Sequence, residues 1–250
     1  MKNTIKKLKV DDLINLKLNP DKKTKILFIY PHPDDETMTS GSLMSRLVDD
    51  QRFEVYAVSV THGEHGDEKY KLPPYELAEV RKSEFKQAME TLGVKRLDLW
   101  NFIDGNMSGQ EKEIKAKVTE FITKNEIDVV VTFERLGLYG HPDHILLSKV
   151  VNEISLELKE RNIKVLYSTL PDSIIKRLNL PKTLTYKDRV VQLNPENISD
   201  PEFKINGFRY ILKKYMAARK YKSQNLTGGK MPLLFAILRI PYEYYTTKYE

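Results

Sequence analysis

Over its first 170 residues the chain alternates short apolar runs with helix-period patterns, and this alternation restricts it to an α/β architecture. Strand-like runs are predicted at 25–30, 54–61, 97–102, 128–133 and 165–169. Between them, helical spacing predicts helices over 40–47, 75–92, 114–122 and 145–158, with Gly93 as the residue that ends the second. Strands joined through helices pair in parallel, so the expectation is an α/β fold with a mostly parallel sheet and helices on both faces.

In such sheets ligands bind beyond the carboxyl ends of the strands. The chemically dense loops of this sequence fall there. The first strand runs into Tyr30-Pro31-His32-Pro33-Asp34-Asp35-Glu36, where two prolines bracket the histidine and bias it away from helix. The fourth leads to Tyr139-Gly140-His141-Pro142-Asp143-His144, and the second ends in Thr61-His62-Gly63-Glu64-His65-Gly66. All five histidines of the chain lie in these loops, which is a poor distribution for residues that merely fill a core.

The chain has no cysteine, so a metal would have to be held by imidazoles and carboxylates. The smallest consistent set is His32 and Asp35 from the first loop with His144 from the second, two histidines and one carboxylate. Spacing does not decide which of the neighbouring acids binds, and acid-rich loops also favour helix N-termini through the dipole alone. With that set, Asp34 is free to act as a general base, and His141 to donate a proton or stabilise an oxyanion.

The pair His32-Pro33-Asp34-Asp35-Glu36 and Gly140-His141-Pro142-Asp143-His144 resembles the LmbE/PIG-L family of zinc-dependent N-deacetylases. Thr61-His62-Gly63-Glu64, the helix carrying Arg81, Glu84, Ala88 and Leu92-Gly93, Asp104-Gly105, and Tyr221-Lys222-Ser223-Gln224 extend the likeness in the same order. The resemblance implies a Rossmann-like α/β sandwich with one zinc per chain, or ferrous iron, on His32, Asp35 and His144, with Asp34 as base and a protonated His141 polarising the carbonyl. It also implies an N-acetylglucosamine-type amino sugar or conjugate as substrate. Hydrolysis of another amide or ester, and carbohydrate binding without catalysis, are the alternatives. His62 stands where the family often has arginine, and Phe133-Glu134-Arg135-Leu136 departs from its usual stretch. His62, Glu64, Arg81, Arg135 and Tyr139 are the candidate substrate contacts, with a Glu64–Arg81 pair expected to order the site.

Other features bound the remainder. A balance of 41 basic against 35 acidic residues leaves +6, spread too evenly for a nucleic-acid face. The apolar stretch 232–238 is too short to span a bilayer and the lysine-rich start lacks the apolar core of a signal peptide, so a cytoplasmic protein without membrane insertion is expected. A homo-oligomer is compatible with the sequence. We expect one domain over 1–250, its core at about 24–225, with the N-terminal extension and C-terminal tail packed on it. Within the less regular remainder, a short helix is predicted at 11–16, a strand at 189–193, and a long helix at 203–222 with Phe208, Ile211, Leu212, Tyr215 and Met216 inward.

Overall fold

A computed structural model describes residues 5–7, 22–66, 70–178, 183–186, 189–192, 198–224, 226, 232–239 and 241–249. In chain order the elements are β1 (Lys6–Lys7), β2 (Thr24–Tyr30), α1 (Asp35–Val48), β3 (Phe53–Thr61), α2 (Pro74–Leu92) and β4 (Arg96–Phe102). There follow α3 (Glu111–Asn125), β5 (Val129–Phe133), α4 (Pro142–Glu157), β6 (Lys164–Thr169), α5 (Asp172–Leu178) and the hairpin β7–β8 (Thr183–Tyr186, Arg189–Gln192). The chain continues through β9 (Phe203–Asn206), α6 (Ile211–Ala218), α7 (Leu233–Arg239) and β10 (Tyr242–Thr246). Among the described residues no helix is long and apolar enough to cross a membrane.

The main sheet has eight strands in the order β1-β9-β10-β6-β5-β2-β3-β4. The five from β6 to β4 are parallel, as the strand–helix alternation predicts, and β10 is antiparallel to both its neighbours. Residues 242–246 of the C-terminal tail thus form a strand of the main sheet. From β2 the chain winds to β3 and β4 on one side, then returns to lay β5 on the other, pairing Phe28 with Val131. The β2/β5 boundary is therefore a topological switch point, where the loops leaving two adjacent strands diverge and open a crevice.

Both faces of β2 are buried, which explains its unbroken apolar run. Ile26, Phe28 and Tyr30 pack with Leu43, Met44 and Leu47 of α1 and Phe85, Ala88 and Met89 of α2. Leu27 and Ile29 face the other way, toward Ile114, Val118 and Ile122 of α3 and Leu147, Val150 and Val151 of α4. Helix α2 ends as expected at Gly93, whose φ of 88° is the left-handed conformation of a helix stop.

The expected long helix over 203–222 is not formed. Residues 203–206 are β9, and the helix proper begins at Ile211 after Gly207 and a single turn over Phe208–Tyr210. Of the residues expected inward Ile211 is buried, but Phe208, Leu212 and Met216 are 66, 66 and 57% exposed, and Lys214, Ala217 and Ala218 are buried instead. The buried side packs closely on α1, where a β-carbon on Gly41 would stand 3.2 Å from Lys214 Cγ. The buried lysine is matched by Glu243 of β10, 2.8 Å away. Of the remaining expectations, the helix at 11–16 lies outside the described residues, and the strand at 189–193 is β8.

Candidate metal centre and active site

Loops leaving β2, β3, β4 and β5 converge above the switch point. Helix α1 starts at Asp35 and α4 at Pro142, earlier than the apolar periodicity indicates, so Asp35 and His144 both stand on first helical turns. His32 Nδ1, Asp35 Oδ2 and His144 Nε2 meet there: the two nitrogens are 3.2 Å apart and each is 3.3 Å from the carboxylate oxygen. Donors roughly 2.0–2.1 Å from one tetrahedral zinc stand about 3.4 Å from one another, so the three atoms fit a common ion.

The opposite ring nitrogens are also engaged. His144 Nδ1 lies 3.2 Å from the Gly137 carbonyl, a contact that places its proton there and leaves the Nε2 lone pair for a metal. Gly137 is required by this approach, because with φ of 63° an added methyl would stand 2.4 Å from His144 Cβ. The loop holding it is built on buried Glu134, whose carboxylate accepts from Leu136 N at 3.0 Å and Leu138 N at 2.8 Å. His32 Nε2 stands 3.1 Å from Asp104 Oδ1 and 3.5 Å from Asp143 Oδ2. Burial opposes charge on His32, but Asp104, Asp143 and Asp35 outweigh it and raise the imidazole well above its ordinary range. The same negative surroundings attract a cation. Burial would likewise raise Asp35, yet the His144 and His32 rings beside it hold its carboxyl well below the usual range.

Asp34 caps α1 with φ of 109°, a region that residues bearing a β-carbon rarely adopt. Its Oδ2 lies 3.2 Å from Nη2 of buried Arg81. Burial is the largest influence on this carboxyl; Arg81 opposes it, and the net result is a push up to about 8. Arg81 also donates to the Pro33 carbonyl and, through Nη1, to Gly63 O at 2.9 Å, so it ties the first loop to the second. The expected Glu64–Arg81 pair is absent. Glu64 Oε1 instead accepts from Asp104 N at 2.9 Å, because the turn at Gly63 brings its carbonyl, not the next side chain, onto the guanidinium.

His141 caps α4, and its Nδ1 accepts from Asp143 N at 3.2 Å, which leaves any proton of the neutral ring on Nε2. Burial, then the neighbouring His32 and His144, push this imidazole down to about 3. Burial and both neighbouring imidazoles thus disfavour the charged form of His141. The Tyr139 hydroxyl is 3.3 Å from His144 Nε2, and burial with the Asp35 charge keeps it un-ionised.

Two candidates stand apart from the imidazole cluster. His62 is half-buried, with Glu64, Lys82 and Glu79 as its charged neighbours, and Arg135 is half-exposed beside Glu134. Conversely, Asp104, Asp143 and Glu134 support the site although the sequence alone does not single them out as site residues. Asp104 follows a strand end and Asp143 lies inside the second motif, which are signals that they belonged to the site; Glu134 had none beyond following the β5 run.

A parallel α/β sheet with a His-and-carboxylate crevice at its switch point defines a candidate metal-site protein of the Rossmann-like class. Residues 27–155 match the family described as PIG-L: GlcNAc-PI de-N-acetylase, and the chain belongs to that family. It is 32% identical over 155 residues to a 1D-myo-inositol 2-acetamido-2-deoxy-alpha-D-glucopyranoside deacetylase of Kineococcus radiotolerans, covering 50% of this chain and 43% of the relative. It is 33% identical over 137 residues to the diacetylchitobiose deacetylase of Thermococcus kodakarensis, covering 54% and 50%. The chain thus spans about half the length of the curated relatives it matches. In fold it is similar to the N,N'-diacetylchitobiose deacetylase of Pyrococcus horikoshii, with a TM-score of 0.66 at 21% identity over 96% of this chain and 92% of that one.

Proposed function

We propose that the chain is a mononuclear zinc N-deacetylase acting on an N-acetylglucosamine-type amino sugar or its conjugate. The observation that carries this reading is the meeting of His32 Nδ1, Asp35 Oδ2 and His144 Nε2 within 3.3 Å, beside Asp34, in a chain of the GlcNAc-PI de-N-acetylase family. The amino sugar follows from the substrates named for the relatives, an acetamido-glucopyranoside of inositol and diacetylchitobiose. Two histidines and a carboxylate hold zinc with coordination positions left open, and ferrous iron suits the same donors. Bound there, the ion supplies an acidified water and a Lewis acid for the acetamide carbonyl.

The chain's own residues do the remainder. Asp34, its carboxyl raised toward the working pH and fixed by Arg81, takes a proton from the attacking water. His141 presents a neutral Nε2–H to the carbonyl oxygen as negative charge develops on it, and the Tyr139 hydroxyl is a second un-ionised donor. The water oxygen bonds to the acyl carbon and the C–N bond breaks. The proton held by Asp34 passes to the departing nitrogen, leaving a primary amine and acetic acid, which gives up its remaining proton to the amine or to water and leaves as acetate. Water attacks directly, so no acyl-enzyme is formed. We place this reaction in the cytoplasm, on a small-molecule conjugate.

The test is primary-amine release from a panel of N-acetylglucosamine conjugates by zinc-loaded and chelated protein, with Asp34→Asn alongside. Chelator-sensitive release, lost in Asp34→Asn while zinc is retained, supports the reading. Absence of release from a verified zinc-loaded sample overturns the sugar assignment, and full turnover by Asp34→Asn removes Asp34 from the mechanism.

A further inference from the structure

Residues 221–224, which the mechanism leaves unused, tie two helices of the site together from behind. Tyr221 is buried and its hydroxyl donates to Glu36 Oε1 at 2.6 Å. Thr37 Oγ1 donates to the same oxygen at 2.6 Å. The other oxygen of that buried carboxyl, Oε2, accepts from the backbone N–H of Asp34 at 3.1 Å. Two residues beyond Tyr221, Ser223 gives its backbone N–H and its hydroxyl to the two oxygens of Glu84 on α2, at 2.8 and 2.6 Å. One segment following α6 therefore grips both the start of α1 and the helix that carries Arg81.

Asp34 and Asp35 are adjacent but serve different partners. Asp35 faces the two imidazoles, whereas Asp34 faces Arg81. The positive φ of Asp34 accompanies this divergence, and a backbone so strained persists only where its surroundings hold it. Arg81 grips the Pro33 carbonyl and the Asp34 side chain, and Glu36 Oε2 takes the Asp34 N–H. Glu36 in turn is oriented by hydroxyls, one of them supplied from 185 residues away in sequence.

We propose that Tyr221 and Glu36 are positioning residues: the relay from Tyr221 hydroxyl to Glu36 carboxyl to Asp34 N–H holds the Asp34 backbone in its turn and so aims its carboxylate. This rests on Asp34 being the general base. Tyr221→Phe fills the same space and removes only the hydroxyl. Its expected signature is a 10- to 100-fold fall in kcat, the range typical of partners that orient a metal site, with KM and zinc content unchanged. Hydrogen exchange at the Asp34 amide, read by NMR, should accelerate in the same variant, and this readout needs no turnover.

Ser223→Ala serves as the structural control, since it removes a buried hydroxyl of the same segment that does not touch Glu36. It should lower the thermal midpoint and keep kcat within twofold. In an Asp34→Asn background Tyr221→Phe should cause no further loss, because two steps of one relay are not additive. Wild-type kcat or wild-type exchange at Asp34 in Tyr221→Phe overturns the proposal. So does a loss expressed in KM or zinc content, or an equal fall in kcat from Ser223→Ala. Full turnover by Asp34→Asn alone is a different result: it removes the base assignment, and with it the purpose of the relay, whatever Tyr221→Phe does.

Discussion

Glu243 is the residue whose alteration the structure allows to be worked through most fully. Its carboxylate is buried on β10 and receives Lys214 Nζ of α6 at 2.8 Å. It also accepts the backbone N–H groups of Ser42 and Leu43, both at 2.8 Å, from the middle of α1. Interior helix amides normally serve the carbonyl four residues back, but here Ser40-Gly41-Ser42 is a weak helical stretch and a carboxylate reaches in. Glu243→Gln keeps the volume and deletes the charge. The ammonium of Lys214 then stays buried with no counter-charge, and one amide N–H faces an NH2 group. Removing one member of a buried pair costs about 3–5 kcal/mol, and an orphaned N–H costs about 1–3 kcal/mol. The two overlap, so about 4 kcal/mol is expected, a large share of the ~5–15 kcal/mol typical of a folded domain. Urea unfolding followed by tryptophan emission and circular dichroism together measures it. With a slope near 3 kcal/mol/M, the midpoint should fall by about 1.3 M. The double variant Lys214→Met/Glu243→Gln should recover a substantial part of the loss, because the stranded charge is gone. A fall under about 1 kcal/mol in Glu243→Gln, or a double variant worse than the single one, would refute the reasoning.

Three further outcomes are expected. Gly137→Ala forces a methyl against His144 at a positive φ, and should weaken zinc binding by roughly 10- to 100-fold, measured by competition with a chromophoric chelator. Arg81→Lys replaces a forked contact to Gly63 O, Pro33 O and Asp34 by a single point charge, and should lower amine release at least tenfold while zinc content stays at the wild-type level. Leu212→Ser removes an exposed side chain, so stability should change by less than about 0.5 kcal/mol in the same urea assay. An inward Leu212, as the sequence periodicity predicts, would instead cost several times that.

What the sequence determined by itself was whatever is encoded locally. Strand and helix periods in the first 170 residues are set by neighbours in the chain, and they specify a parallel sheet. Prolines around His32 and Pro142 after His141 set loop and helix starts, so the two motifs could be placed at strand ends without knowing the fold. Three-dimensional structure decided everything that depends on which distant segments touch. The helix at 211–218 has apolar residues on two sides, and tertiary packing buries the side bearing Lys214, Ala217 and Ala218, with Lys214 against Gly41 and Glu243. Arg81 could be matched with Glu64 on charge alone, yet the turn at Gly63 hands it backbone carbonyls and Asp34. Asp104 joins His32 from 72 residues away, and Tyr221 joins Glu36 from 185. Local propensity is written in each residue and its near neighbours. Partner choice is made by the packing of the whole sheet, and a single sequence carries no separate mark for it.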